Sequence, residues 1–305
     1  MIATDVRGLA VLADGAHTAF AAGAVAALAA AGARWSVAAG AGLGAHVAAL
    51  AVVGEAEEAA RRWHRQGEAG APVFQSRLAV GRERLGDEPG LLLLADAWRL
   101  GGWLAEEGRD AFLAPERADL PGRLRHADAA LLVAIEDLGA GRRQWVWAEE
   151  LDADGAWQLL RAAASYPAGW GATGGGSGVA LRWGGVGACA GLEAPWRTRP
   201  ASWDVVCGFP MPAVTRPGLG TALLDAVQRR GEVVAAATVA TWLESAGSPA
   251  RVVAPAAGSY LAWAARDGAD LGVEYPLPNE RNGELLASLV EYGRHAAGRS
   301  GAEQG

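Results

Sequence analysis

The stretch Ser36-Val37-Ala38-Ala39-Gly40-Ala41-Gly42-Leu43-Gly44-Ala45-His46 constrains this chain more than any other. An apolar strand runs through Val37 into Gly40, a tight glycine turn follows, and an alanine-rich helix begins near Leu43. Strand, glycine turn and helix in that order are the layout of a nucleophile elbow, G-x-S-x-G, which exposes a serine hydroxyl on a sharp bend. The flanking glycines are Gly40 and Gly44, but the serine position is held by Gly42. The chain therefore carries the backbone for presenting a nucleophile and no atom to present.

The surrounding pattern sets the fold class. Gly8 to Leu12 reads as a strand ending in a turn at Asp14-Gly15, and Thr18 as the cap of a helix from Ala19 to about Ala31. Within that helix Phe20, Ala24, Ala27 and Leu28 share a face. Trp35 to Ala39 is a second strand, Leu43 to Val53 the helix after the bend, and Glu55 to Arg65 a charged amphipathic helix. Further along, Leu91 to Glu106 and Ala156 to Ser165 read as helices, the latter stopping before Pro167. Ala129 to Ile135 and Gln144 to Ala148 read as strands that a turn at Gly139 to Gly141 could join as a hairpin. Gly169 to Gly178 is glycine-dense and reads as a loop, and Val205 to Cys207 and Arg251 to Ala254 as strands. Two helices, Thr221 to Gln228 and Val234 to Glu244, and a final one from Arg281 to Ala297 complete the chain. Alternating strands and helices predict an α/β fold, with a central mostly parallel sheet flanked by helices. No repeat or linker divides it, so one domain is expected over residues 1–297, with 298–305 a frayed tail.

Composition excludes several function classes. Hydrophobic residues make up 51% and charged residues 20%, enough for a packed core. All 27 basic residues are arginine, which we read as coding bias, and it weakens arguments from alanine spacing. The net charge of −7 with no basic stripe speaks against nucleic-acid binding and against attraction to anionic membranes. Cys189 and Cys207 have no zinc or disulfide spacing and read as buried free thiols, and no metal or cofactor is expected. The N-terminus lacks a secretory pattern, and Ala19 to Ala31 is too short to span a bilayer, so a cytoplasmic protein without a transmembrane segment is expected. The thirteen tryptophans follow no repeat and read as packing residues.

Five segments in order carry a resemblance. They are Val11-Leu12-Ala13-Asp14-Gly15-Ala16-His17 with Gly23 on the following helix, Gly40-Ala41-Gly42-Leu43-Gly44-Ala45, Ile135-Glu136-Asp137-Leu138-Gly139-Ala140-Gly141, Ala164-Ser165-Tyr166-Pro167, and Arg182-Trp183-Gly184-Gly185-Val186. Over roughly the first 190 residues the chain resembles the opening of a patatin-like phospholipase. The resemblance implies a patatin-like three-layer sandwich and a serine–aspartate dyad, with backbone N–H groups of a glycine loop holding the oxyanion.

At the positions that matter this chain departs from that pattern. Gly42 stands for the nucleophile, Trp183 for the dyad aspartate, and the oxyanion loop reads Asp14-Gly15-Ala16-His17, with a carboxylate where an anion should bind. A rival alignment puts the aspartate at Asp204, which no glycine pair follows. His17, read as a partly exposed turn residue, and His46, read as solvated or pocket-lining, could each activate water. Ser177 lacks the strand and closing glycine of an elbow. The resemblance thus implies an inactive homologue that binds a lipid or acyl chain or regulates another protein. The alternatives are an acyl hydrolase using His17, His46 and Asp204, and a structural partner of a protein the sequence does not identify.

Overall fold

The computed structural model describes residues 7–74, 104–117, 119–165, 170, 172–174, 182–195, 202–211, 223–245, 250–256 and 283–302. Seven strands form one sheet: β1 (Arg7–Leu12), β2 (Val37–Ala41), β3 (Ala130–Asp137), β4 (Arg142–Trp147), β5 (Arg182–Trp183), β6 (Ser202–Cys207) and β7 (Ala250–Val253). The spatial order is β4-β3-β2-β1-β6-β7, with β5 also on β3. Pairings β1–β2, β2–β3, β1–β6 and β6–β7 are parallel, and only β4 and β5 run antiparallel to β3.

The central strands are mostly apolar because both their faces are covered, Asp204 in β6 being a buried exception. Leu9 and Val11 of β1 point into one core with Ala38, Val133 and Val206, and Ala10 and Leu12 into the other with Ala39, Leu132 and Val205. The first face carries α1 (Thr18–Ala30), α2 (Gly44–Val52), α3 (Ala56–Glu68), α6 (Ala153–Ala164) and α8 (Gly283–Ala302). The short helices α4 (Glu106–Arg117) and α5 (Leu120–His126) pack against this layer. The second face carries α7 (Leu223–Ser245) and a 3-10 turn, Val186–Cys189. The protein is an α/β sandwich of three layers, helix, mostly parallel sheet and helix.

Several expectations need correcting. Thr18 is the first residue of α1 rather than its cap: His17 precedes the helix, and the buried Thr18 hydroxyl has no partner among the described residues. The face built on Phe20, Ala24 and Leu28 is not distinct, since Thr18 to Ala26 is buried on every side between α2, α3 and α8. What lets α8 lie so close is glycine. A β-carbon at Gly23 would collide with the Val290 carbonyl, and one at Gly293 with the Phe20 carbonyl. The two helices expected at 221–228 and 234–244 are one, because Gly231 packs against Gly187 instead of breaking the helix. The final helix continues past Ala297 to Ala302, so the tail does not begin at Gly298. A helix starts at Glu106, where one was expected to end, while the 91–103 stretch, Ser177 and most of the 169–178 loop lie outside the described residues. The hairpin of β3 and β4 forms as read, and α6 begins behind Asp152, whose carboxylate accepts the Gly155 N–H at 2.7 Å.

Candidate functional site

In an open α/β sheet the crevice lies beyond the carboxyl ends of the strands, where the strand order reverses. Here that point is β1, which has β2 on one side and β6 on the other. Three segments leave the sheet there: Ala13-Asp14-Gly15 after β1, Gly42-Leu43 after β2, and Gly208-Phe209 after β6.

The bend after β2 has the geometry its glycines imply. Gly42 takes φ of 64°, a left-handed conformation that disfavours side chains. Strand and helix approach so closely that a β-carbon at Gly40 would collide with Ala45 Cα, and one at Gly44 would lie 2.6 Å from the Val11 carbonyl oxygen. The Gly44 N–H donates to the Ala13 carbonyl at 2.9 Å, which ties the bend to the segment leaving β1.

The space above Gly42 is filled. A β-carbon there would stand 2.5 Å from the Ala13 carbonyl oxygen, 3.0 Å from Asp14 Cγ and 3.1 Å from the Val186 nitrogen. Asp14 is 1% exposed. Its carboxylate accepts the Gly15 N–H at 3.1 Å and the Val186 N–H at 3.1 Å. Burial pushes its pKa up to about 7 against the pull of the Val186, Gly15 and Leu43 N–H groups, and the nearby Glu232 carboxylate pushes it the same way.

Val186 reaches the bend through the glycine pair before it. The Gly184 N–H donates to Ser165 O at 2.6 Å and the Gly185 N–H to Ala163 O at 2.8 Å, and Gly185 takes φ of 79°. The Ser165 hydroxyl in turn accepts from the fully buried Arg109 guanidinium at 2.7 Å. The Ala164-Ser165 and Gly184-Gly185 segments, separate in sequence, are thus one contact that delivers the Val186 turn to Gly42. Trp183 itself lies on β5 opposite Glu136.

The other candidates are placed as follows. Gly15, Ala16 and His17 form a buried 3-10 turn directly after Asp14. His17 is 3% exposed rather than partly exposed, and its Nδ1 lies 2.5 Å from Oε1 of Glu232 on α7. His46 is not solvated: it is buried on α2, with its ring centroid 5.6 Å from that of Phe112. Asp204 is buried in the middle of β6, where it accepts from Trp35 Nε1 at 2.8 Å and Arg251 Nε at 2.8 Å and pairs with Arg7 at 3.3 Å. It stands level with Leu9 and Ala38, and so four residues, or ~13 Å, below Gly42. Glu232 escaped the sequence reading because Gly231 beside it reads as a helix break. The signal was a lone carboxylate ahead of the apolar run Val233-Val234-Ala235-Ala236.

Chemically the arrangement offers no hydroxyl at the bend, and the Asp14 carboxylate oxygens accept the Gly15 and Val186 N–H groups. Cys189 and Cys207 are buried free thiols, and burial pushes Cys189 up to about 12 and Cys207 higher, which leaves almost no thiolate at neutral pH. Among the described residues no cluster of three histidine, cysteine or carboxylate side chains could hold a metal ion, and no helix is long and apolar enough to cross a membrane.

No family model matches this chain, and no curated protein matches it. Among solved structures it is similar to VipD from Legionella pneumophila, with a TM-score of 0.39 and 12% identity over 66% of this chain and 50% of that one. The chain thus spans about half the length of that structure.

Proposed function

We propose that this chain is a patatin-like phospholipase-fold protein that has lost its serine–aspartate dyad, turns over no ester, and acts as a regulatory or structural homologue. The observation that carries the reading is the Asp14 carboxylate lying 3.0 Å from where a β-carbon at Gly42 would stand. The Asp14 carboxyl in that place crowds any side chain at Gly42 and, when ionised, repels a developing oxyanion. The order of the five segments, and the junction of Ala164-Ser165 with Gly184-Gly185 beside the bend, support the assignment of fold. The close packing of Ala13, Asp14 and Val186 against Gly42 supports a role through the protein surface over a lipid or acyl chain held at the bend.

Two measurements test this. Purified protein is incubated with p-nitrophenyl esters from butyrate to palmitate and with phosphatidylcholine vesicles, and its organic extract is analysed by mass spectrometry. The expected results are hydrolysis at the uncatalysed rate and no acyl lipid above background. Removing a nucleophile from such machinery costs on the order of 10⁶ in rate. Turnover that disappears on changing His17, His46 or Asp204 would restore the hydrolase reading, and a stoichiometric bound fatty acid would restore the acyl-binding one.

A further inference from the structure

We propose that Asp14, His17 and Glu232 form a buried proton latch, which clamps α7 and the Val186 turn over the Gly42 bend and loosens when it loses a proton. The inference rests on the closed crevice above and adds its regulation. His17 and Glu232 lie 215 positions apart in the chain, yet their side chains meet at 2.5 Å in the interior. Exposure is 1% for Asp14, 3% for His17 and 6% for Glu232. Asp14 grips the Val186 N–H, and the Val186 turn packs on α7, where Gly231 and Gly187 approach backbone to backbone. The three side chains therefore hold one unit: the loop after β1, the Val186 turn and α7.

Charge decides what holds it shut. With one proton between His17 Nδ1 and Glu232 Oε1 the pair carries no net charge whichever side holds it, and a neutral Asp14 beside it adds none. Release of the Asp14 proton leaves a net negative charge in the buried interior, near the Glu232 carboxyl. The Gly15, Val186 and Leu43 N–H groups hold the new anion in place, so the repulsion falls on Glu232 and on α7. Among the described residues the titratable groups on these elements are His17 from Asp14's own turn, Glu232 from α7, Cys189 from the Val186 turn and Cys207 from β6. Both thiols stay protonated through neutrality, and His46 on α2 turns its ring to Phe112.

The sign follows from linkage. Asp14 holds its proton more tightly in the closed fold, at about 7, than its ordinary value of 3.8. Closure is therefore favoured below pH 4, weakens as pH rises towards 7, and is constant above. The test uses the wild-type chain, isotopically labelled. The Gly15 and Val186 amide shifts are followed by NMR from pH 5 to 8.5, together with hydrogen-exchange protection at Gly231 and Glu232 corrected for intrinsic rate. The two amides are expected to share a midpoint between pH 6 and 8, and opening at α7 to rise up to about tenfold per pH unit until that midpoint. Asp14→Asn abolishes both changes, and Glu232→Gln lowers the midpoint. Amide shifts that are flat over this range, or α7 protection that ignores pH, would overturn the latch even if either variant failed to fold. Neither result depends on ester turnover, so failure of the latch and failure of the proposed function are told apart.

Discussion

Gly42→Ser places a hydroxyl at the bend and is expected to yield no hydrolysis and a protein about 2–6 kcal/mol less stable. Two effects add. At φ of 64° a side chain sits in the left-handed region, which costs on the order of 1–3 kcal/mol away from glycine. The new β-carbon would lie 2.5 Å from the Ala13 carbonyl oxygen and 3.0 Å from Asp14 Cγ, so the segment leaving β1 must move, and overpacking of this kind costs about 1–3 kcal/mol. The clash with Asp14 can be isolated. Asp14→Gly combined with Gly42→Ser should be less destabilised than the sum of the two single changes, with a coupling of at least about 1 kcal/mol, because the residues share one space. Urea denaturation of the four proteins reads this directly. Independent, additive costs would mean that Asp14 does not occupy the space above the bend.

The second large effect belongs to Asp204. Asp204→Ala is expected to cost about 3–5 kcal/mol and to change no activity, since removing one member of a buried ion pair strands the others. Arg251 is 13% exposed, and with the carboxylate gone it loses its 2.8 Å partner. Trp35 Nε1 loses its acceptor in the same change. Asp204→Asn should recover part of the loss, because the amide oxygen can still accept from Trp35 while the charge that balances Arg7 and Arg251 is gone. At roughly 2–4 °C per kcal/mol for a large domain, the alanine variant should melt about 6–20 °C lower, which calorimetry resolves. A melting point within a degree of wild type would contradict the structural role, and a specific loss of ester turnover would return Asp204 to the site.

The fold was legible where the pattern is local. A strand covered on both faces reads as an apolar run, and β1 from Gly8, β2, and β3 as far as Ile135 do, whereas β6 carries Asp204 at its middle and was legible only from Val205. The bend after β2 was legible because its three glycines answer close approaches and a left-handed backbone made within a few residues. Partners far apart in sequence were not legible. Nothing near Asp204 announces Trp35, Arg7 or Arg251, so a buried structural carboxylate looked like a candidate base. Glu232 and His17 find each other only after α7 folds onto the Val186 turn, and Gly231, which makes that contact possible, reads from sequence as the end of a helix. Asp14 was singled out as a charge in the wrong place. That it completes a plug, held by the Val186 N–H from 172 positions away, is a fact of tertiary packing.

The account stands on the filled space above Gly42, and the most direct measurement is the intact mass of the wild-type protein after prolonged exposure to a fluorophosphonate. With no hydroxyl at the bend, and Asp14 in the way, the mass is expected to stay that of the unmodified chain. A stoichiometric phosphonyl adduct on any residue lining that crevice would contradict the account.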